Sequence, residues 1–204
     1  MDVGIIDCGI GNVQSVRRMF EAVGAVVGVL KEPSMADTCK RLVIPGVGSF
    51  DAGMTRLVES GWISALNHAA FDRRLPVLGI CLGMQLLCRK SEEGVLRGLG
   101  WIEADVVGFK LNLPGGLKIP HMGWSLVTAS RDNLLLPRNA EEQRFYHVHK
   151  YHVVCDHYES VLATAEYGIN FTSAICRENI FGVQFHPEKS HRFGMALMQR
   201  FLEI

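Results

Sequence analysis

The first half of the chain alternates short apolar runs with segments of helical periodicity. The apolar runs, each of which predicts a buried strand, are residues 3–7, 25–30, 41–44 and 75–80. Residues 12–23 have the apolar spacing of a helix, and further helices are predicted at 51–60 and 63–73. Near-continuous apolar strands separated by helices predict a parallel sheet that is covered on both faces.

The second half, from residue 101 onward, has shorter predicted strands separated by turn signals such as Leu113-Pro114-Gly115-Gly116. This pattern predicts antiparallel strands added to the same domain, and residues 194–204 predict a short terminal helix. The fold class expected is therefore α/β. It would be an open, mostly parallel twisted sheet with helices on both faces, and residues 1–204 would form a single domain.

The composition limits which classes of function and which cellular compartment the sequence predicts. Among 204 residues, 21 basic side chains balance 21 acidic ones, which gives no basic patch for nucleic acid. No apolar run approaches the roughly 18 residues of a membrane span, and the first residues lack the basic start of a signal peptide. The six cysteines include no Cys-x-x-Cys pair, so we expect free thiols in a reducing cytoplasm.

The candidate nucleophile is Cys81, which stands between Gly79 and Gly83 where a predicted strand meets a helical segment. G-x-C-x-G is the cysteine version of the nucleophile elbow, a tight turn that holds the side chain exposed on a strained backbone. At a helix N-terminus the dipole favours the thiolate over the thiol. The alternative is a core cysteine at a glycine-containing strand end.

A candidate base and acid occur much later, in the run Gly182-Val183-Gln184-Phe185-His186-Pro187-Glu188. This run predicts a strand that ends in a histidine, and the following proline keeps His186 extended. Residues two apart in an extended segment point the same way, which would bring His186 and Glu188 together. A thiol, an imidazole and a carboxylate are the parts of a nucleophilic triad. We therefore predict that Cys81, His186 and Glu188 are catalytic.

Three motifs together resemble those of the class I, triad-type glutamine amidotransferases. They are Pro45-Gly46-Val47-Gly48, Gly79-Ile80-Cys81-Leu82-Gly83-Met84-Gln85, and the histidine run just described. Residues 6–12 and 119–124, together with Lys189-Ser190, are similar to segments of the glutaminase subunits of imidazole glycerol phosphate synthases. The resemblance covers nearly the whole chain.

The resemblance implies an oxyanion site made of two backbone amides. One would come from Gly46, Val47 or Gly48, and the other from Leu82, the residue after the nucleophile. A glycine-rich turn with free amides can donate hydrogen bonds to an oxyanion, since glycine lets the peptide plane rotate into position. Without the elbow, the same turn would be an ordinary loop.

By the same resemblance, Gln85 and Glu93 would hold the amino-acid portion of glutamine, and Glu93 would pair with its ammonium group. From residue type alone, Gln85 could equally be an amide on a helix surface and Glu93 a solvated loop charge. Lys150 lies next to the segment whose backbone, in the family, receives the α-carboxylate of glutamine.

Residues 146–152 contain three histidines within a predicted strand. Alternation would place Tyr146, Val148 and Lys150 on one face and His147, His149 and Tyr151 on the other. Two histidines on one face could ligate zinc. The resemblance instead implies a strand beside the active site, with His149 and Tyr151 lining the substrate and with neither a metal nor a cofactor.

Three positions depart from the family pattern and bear on which pathway the chain serves. Cys8 replaces a tyrosine, His147 replaces an aromatic residue, and Lys150 replaces a small hydroxyl residue. These departures leave the triad intact. They keep open the alternative of a paralogous glutaminase that supplies ammonia for amidation of a surface-polysaccharide sugar. A cysteine hydrolase or peptidase and a non-catalytic binding subunit are more distant alternatives.

The expected reaction is hydrolysis of glutamine to glutamate and ammonia. Since free ammonia is wasted in water, a glutaminase with no acceptor domain of its own implies a docked synthase. By resemblance this partner is a barrel-shaped cyclase subunit that forms a heterodimer with the chain. It makes imidazole glycerol phosphate and aminoimidazole carboxamide ribotide in histidine biosynthesis.

Four residues match family positions at or near the face toward the synthase: Ile10, Asn12, Trp124 and Lys189. Each also has an ordinary explanation, as core, helix cap or solvated charge. An oxyanion site that is assembled only in the productive complex would prevent uncoupled hydrolysis. The glycines at 46 and 48 supply the flexible peptides that such a switch needs.

Overall fold

The computed structural model describes residues 1–110, 114–138 and 142–204. The first four strands are short and largely apolar, as the sequence predicted: β1 (Val3–Ile6), β2 (Val27–Leu30), β3 (Leu42–Gly46) and β4 (Val77–Cys81). Between them lie α1 (Val13–Ala22), α2 (Phe50–Glu59) and α3 (Trp62–Asn67), and α3 continues as a π-helical turn, His68–Asp72. A fourth, very short helix α4 (Leu82–Leu86) follows β4 directly.

The second half contributes strands of mostly antiparallel pairing, also as predicted. They are β5 (Ala104–Gly108), β6 (His121–Ala129), β7 (Arg144–His149), β8 (Tyr151–Cys155), β9 (Val161–Glu166), β10 (Asn170–Arg177) and β11 (Ile180–Val183). The terminal helix α5 spans His191–Glu203 and begins three residues earlier than the apolar pattern indicated.

One sheet contains all the strands of the described residues, and its main path runs β2-β1-β3-β4-β11-β10-β9-β6-β7. The pairs from β2 through β11 are parallel, whereas β11 and β10 are antiparallel. Strand β11 therefore joins the two halves of the sheet. Because it lies beside β4, the last strand of the chain is next to the strand that carries the candidate nucleophile.

Two hydrophobic cores cover the two faces of the sheet. Neighbouring residues of one strand belong to different cores, for example Ile5 and Ile6 of β1, since successive side chains point to opposite faces. Helices α1 and α5 pack on one face through Phe20 and Phe201, whose ring centroids are 6.2 Å apart. Helices α2 and α3 pack on the other face. The predicted doubly covered α/β sheet is confirmed.

Three details of the sequence prediction are wrong, and one falls outside the described residues. Strand β7 ends at His149, and Lys150 forms a turn before β8, so the alternation does not continue to Tyr151. Strand β11 ends at Val183, before the histidine. The terminal helix is 13 residues long and not short. Leu113 of the predicted turn lies outside the described residues. Among the described helices, none is both long and apolar enough to cross a membrane.

Candidate functional site

The predicted site residues gather where β3, β4 and β11 end. Gly46 of β3 pairs with Cys81 of β4, and Val183 of β11 pairs with Ile80 of β4. A cavity of about 390 Å³ opens at this edge of the sheet, as expected for ligand sites at the carboxyl ends of parallel strands. It is lined by Val47, Gly48, Cys81, Leu82, Gln85, Glu93, Pro120, Val148, His149, Lys150, Tyr151 and His186.

Cys81 is at the sharp turn between β4 and α4. Its φ of 54° and ψ of −108° are unusual for a non-glycine residue, which indicates the strained backbone of a nucleophile elbow. A Cβ atom on Gly79 would lie 2.6 Å from the carbonyl oxygen of Gly83, so the turn requires glycine there. The side chain is only 8% exposed, because it lies in the cavity. The expected exposed position is therefore wrong.

His186 and Glu188 are in contact, although the local geometry differs from the prediction. The residues 187–189 form a 3₁₀ turn and not an extended segment, and His186 Nδ1 lies 2.8 Å from Glu188 Oε1. Both side chains are only 3% exposed. Ser190 Oγ donates to the carbonyl oxygen of His186 at 2.7 Å and accepts from the amide of Tyr146 at 3.0 Å, which anchors the turn to β7.

The electrostatic environment of His186 favours the imidazolium. Burial by itself lowers the pKa of His186, but the Cys81 sulfur and the Glu188 carboxylate outweigh burial and raise the pKa to about 9. The Nε2 atom is buried and, within the part of the chain that the structure describes, has no hydrogen-bond partner of ordinary geometry. It is the nitrogen left to exchange a proton with a thiol in the same cavity.

The two segments predicted to supply oxyanion amides differ in their backbone hydrogen bonding. Leu82 is the first residue of α4, where backbone amides have no partner within the helix. The amide of Val47 donates to the carbonyl oxygen of Ile10 at 2.5 Å. This donor is therefore engaged and does not serve an oxyanion in this arrangement. Gly48, with a φ of 105°, adopts a conformation that favours glycine.

Gln85 and Glu93, predicted to hold the amino-acid part of glutamine, both line the cavity. Gln85 is 5% exposed and is not a surface amide. Its Nε2 atom donates to the carbonyl oxygen of Tyr151 at 3.4 Å and to Gln184 Oε1 at 3.1 Å. Glu93 Oε2 accepts from the amide of Phe50, the first residue of α2, at 2.8 Å.

The turn between β7 and β8 forms another wall of the cavity. His149 Nδ1 donates to the carbonyl oxygen of Tyr151 at 2.8 Å, which folds the chain tightly around Lys150. Lys150 is exposed and lines the cavity. The β7–β8 turn therefore contributes an exposed basic residue to the lining of the cavity.

The histidines of β7 belong to a buried polar cluster with His121 of β6. His147 Nδ1 donates to the carbonyl oxygen of Phe145, and its Nε2 lies 3.0 Å from Ser173 Oγ. Burial lowers the pKa of His147 to about 3 and that of His121 to about 4, so these rings are neutral at pH 7. Across the described residues, no group of three or more His, Cys, Asp or Glu side chains could hold a metal ion.

The four residues predicted at the partner face occupy two places. Ile10 is buried and accepts from Val47, and Asn12 caps α1 by accepting from the amide of Ser15 at 3.4 Å. The other two belong to an aromatic patch. We define this patch by its four residues: Trp124, Tyr146, Lys189 and His191.

The aromatic patch includes Lys189, the last residue of the 3₁₀ turn at residues 187–189, which we call the triad turn because it carries Glu188. Trp124 is 45% exposed and stacks on His191, with ring centroids 5.6 Å apart and planes at 5°. Lys189 Nζ lies 5.7 Å from the centroid of the Tyr146 ring, a cation–π distance. The amide of His186 donates to the carbonyl oxygen of Tyr146 at 2.9 Å, so the patch and the histidine share a backbone connection.

Sequence reasoning missed three residues of the site. Pro120 and Val148 line the cavity, and Gln184 Nε2 lies 3.8 Å from Cys81 Sγ. A signal for Gln184 was present: it is the single amide in the apolar run that precedes His186. A buried amide in such a run requires a hydrogen-bond partner.

Comparison with known proteins identifies similar sequences over the full length. The sequence model of the family "Glutamine amidotransferase class-I" matches residues 4–204. The chain is 49% identical over 201 residues to "Imidazole glycerol phosphate synthase subunit HisH 2" of Methanococcus maripaludis, which covers 98% of each chain. It is 43% identical over 200 residues to the protein of the same name from Pseudomonas aeruginosa, again covering 98% of each.

A solved structure described as that of a glutamine amidotransferase has the same fold. It superposes with a TM-score of 0.74 at 18% sequence identity, and the match covers 100% of this chain and 98% of the other. At this identity the likeness concerns the fold alone.

Proposed function

The chain belongs to the class I glutamine amidotransferases, and we propose that it is the glutaminase subunit of an imidazole glycerol phosphate synthase. In this role it hydrolyses glutamine to glutamate and ammonia for histidine biosynthesis, and residues 1–204 act as one amidotransferase domain. The observation that carries the proposal is the strained Cys81 in a cavity that also holds His186, itself paired with Glu188.

The reaction follows from the positions of these three side chains. The Cys81 thiolate attacks the amide carbon of glutamine, and His186 gives its proton to the departing ammonia as the C–N bond breaks. Neutral His186 then takes a proton from water, whose oxygen attacks the thioester. The C–S bond breaks, glutamic acid leaves and loses its proton to solvent, and the thiolate–imidazolium pair is regenerated. Glu188 holds the imidazole in the required tautomer throughout.

Substrate recognition uses the charged and polar groups of the cavity wall. In this proposal Glu93 accepts from the ammonium group of glutamine, which is a charge-assisted contact. Gln85, His149 and Tyr151 shape the wall that receives the rest of the amino-acid portion, and Lys150 contributes positive charge near the α-carboxylate. No metal or cofactor takes part in this chemistry.

The partner in the proposal is a barrel-shaped cyclase subunit that receives the ammonia and forms a heterodimer with this chain. The curated relatives are named as subunits of a synthase, and the exposed aromatic patch offers a docking face next to the triad turn. We place the heterodimer in the cytoplasm, in keeping with six cysteines that are all free. Neither nucleic acid nor a membrane is a partner in this proposal.

The polysaccharide alternative is less well supported. Both relatives named above are synthase subunits by name, and neither name refers to sugar amidation. The alternative also passes its ammonia through a cyclase-like partner, so the product separates the two. The chain is copurified with its natural partner, the partner is identified by mass spectrometry, and the product of the complex is determined. Formation of imidazole glycerol phosphate supports histidine biosynthesis, whereas amidation of a sugar would contradict it.

The glutaminase activity is tested by Cys81→Ser, with Cys155→Ser as the matched control. Cys155 is half-buried, lies on β8 and does not line the cavity. With the cyclase and its acceptor ligand present, we expect Cys81→Ser to abolish glutamine hydrolysis, because a hydroxyl ionises far less readily than a thiol, and the control to retain it. An electrophilic glutamine analogue should label Cys81 and none of the other five cysteines. Labelling of another cysteine would contradict the assignment.

We further propose that the chain is active only when docked. In this proposal Val47 supplies the oxyanion amide of the 46–48 turn, and that amide donates to the carbonyl oxygen of Ile10 until its peptide turns away. Gly48, already at positive φ, gives the segment the freedom to turn. A partner that binds near Ile10 and the aromatic patch could shift this equilibrium only if it contacts the two states differently.

The test compares glutamine turnover of the isolated chain with turnover in the presence of the cyclase and its acceptor ligand. We expect little activity alone and strong stimulation in the complex. Full activity of the isolated chain would refute the conditional mechanism and leave the glutaminase assignment intact.

A further inference from the structure

The side chain of Gln184 contacts Cys81 but does not line the cavity. Gln184 follows β11, is fully buried at 0% exposure, and its backbone amide donates to the carbonyl oxygen of Ser173 at 2.9 Å. Its Nε2 atom lies 3.8 Å from Cys81 Sγ, a hydrogen-bond distance for sulfur. A buried amide in an apolar run is costly unless its polar atoms are bonded, and here one of them is bonded to the reacting atom.

The hydrogen-bond network determines which end of this amide faces the sulfur. The carbonyl oxygen of Tyr151 can only accept, so the atom of Gln85 that faces it at 3.4 Å must be Nε2. The same nitrogen faces Gln184 at 3.1 Å, where its second hydrogen needs an acceptor, which must be Oε1. The remaining end of Gln184, its Nε2, therefore donates toward Cys81.

We propose that Gln184 is a catalytic residue that donates a hydrogen bond to the Cys81 thiolate, and that Gln85 is a positioning residue that fixes its orientation. This inference rests on the proposed glutaminase function and deepens it. The donors and acceptors form a continuous path from the Tyr151 backbone in the cavity wall, through two buried amides, to the sulfur.

The hydrogen bond changes strength during the reaction. A thiolate is a charged acceptor, and hydrogen bonds to ionised groups are roughly twice as strong as those between neutral groups. When the sulfur becomes a thioester it loses its charge, and the bond from Gln184 weakens. When water attacks and the C–S bond breaks, the sulfur regains the electron pair and the bond strengthens again. Gln184 keeps its own protons throughout and thereby assists the departure of the thiolate.

The experiment measures alkylation of Cys81 by iodoacetamide as a function of pH, with the Cys81 peptide quantified by mass spectrometry. Two variants remove the donor without adding a charge or another donor: Gln184→Met and Gln184→Leu. We expect the apparent pKa of alkylation to rise by about 1 in each, which is a roughly tenfold smaller thiolate fraction below that pKa. Gln85→Met should shift the pKa in the same direction by a smaller amount.

Ser173→Ala is the matched control. Ser173 is also fully buried, but its hydroxyl contacts His147 and not the sulfur. Its alkylation profile should coincide with that of the unaltered chain. If the alkylation profile of Ser173→Ala shifted as much as that of Gln184→Met, general disturbance of the core would explain both shifts. This result would overturn the proposal.

Folding of each variant is checked by its thermal transition. If Gln184→Met does not fold, Gln184→Leu decides, and if neither folds, Gln85→Met decides. An alkylation profile that is unchanged in the deciding variant would overturn the proposal. Since alkylation requires no glutamine, an unaltered chain that fails to hydrolyse glutamine even with the cyclase and its acceptor ligand present would refute the proposed function alone. The pH profiles of alkylation would still test the hydrogen bond from Gln184.

Discussion

Gly79→Ala should disrupt the elbow that holds Cys81. Gly79 is in the middle of β4, and a Cβ atom there would lie 2.6 Å from the carbonyl oxygen and 2.7 Å from the carbonyl carbon of Gly83. The amide nitrogen of Met84 would be 2.7 Å away. All three atoms belong to the backbone of α4, so no side chain can rotate to make room.

The size of the effect follows from these distances. Ordinary van der Waals contact of a Cβ atom begins at 3.4 Å, so the first turn of α4 must move by roughly 0.8 Å. Overpacking of a core costs about 1–3 kcal/mol, and we expect the upper end because backbone must move. A displacement of about 1 Å at a catalytic group can cost about 100-fold in rate, so the glutaminase kcat should fall to a similar extent.

Urea denaturation measures the free energy of unfolding, and Gly108→Ala is the matched control. A Cβ atom on Gly108, in β5, would meet nothing closer than 3.5 Å. The control should therefore be as stable as the unaltered chain or more stable by up to about 1 kcal/mol, since alanine restricts the unfolded chain.

Equal stability of Gly79→Ala and Gly108→Ala would refute the reasoning, because both replace a strand glycine and differ in the space around the new methyl group. A destabilised Gly79→Ala that retains full kcat would also contradict the link between the position of α4 and the chemistry.

Three further predictions concern side chains around the triad. Lys150→Ala should raise the KM for glutamine by roughly two- to fivefold with kcat changed less, as expected for an exposed ion pair, and an unaltered KM would show that the lysine does not touch substrate. The pKa of His186 is raised from 6.5 to about 9, so protonation of His186 stabilises the fold. This contribution of roughly 3 kcal/mol is fully present below about pH 6.5 and is lost as the pH rises through 9. Glu188→Gln removes one of the groups that raise this pKa, so the free energy of unfolding of the variant should fall less between about pH 7 and pH 10 than that of the unaltered chain. The same pH dependence of unfolding free energy in both proteins would contradict this. Lys189→Ala should weaken stimulation by the cyclase without loss of Cys81 alkylation. Lys31→Ala, which alters an exposed lysine outside the aromatic patch, should leave stimulation unchanged. Equal stimulation of the two variants would exclude Lys189 from docking.

Much of the fold could be predicted because its signals are local. The apolar runs of β1 and β4 and the periodicity of α1 identify buried elements without reference to their neighbours. Gly79 and Gly83 mark the elbow, and Pro187 predicts the extended backbone of His186, whose φ and ψ are −104° and 94°.

The rest depended on contacts between distant segments. The sequence near Cys81 does not by itself indicate that the sulfur lies in a cavity, because most of the cavity wall comes from segments around residues 47, 93, 149 and 186. The Val47–Ile10 hydrogen bond joins two loops whose distance is set by the pairing of β1 with β3. The contact of Gln184 with Cys81 likewise requires β11 beside β4, an order that apolar patterning does not specify.

The central place of β11 has a consequence for synthesis of the chain on the ribosome. Residue 81 leaves the ribosome long before residue 186, and translation at roughly 5–20 residues per second separates them by on the order of ten seconds. During that interval β4 has no β11 beside it, and the cysteine has neither its base nor its buried amide. Under the proposed function, the catalytic side chains therefore come together only when nearly the whole chain has been made, and we expect a nascent or prematurely terminated chain to release no ammonia.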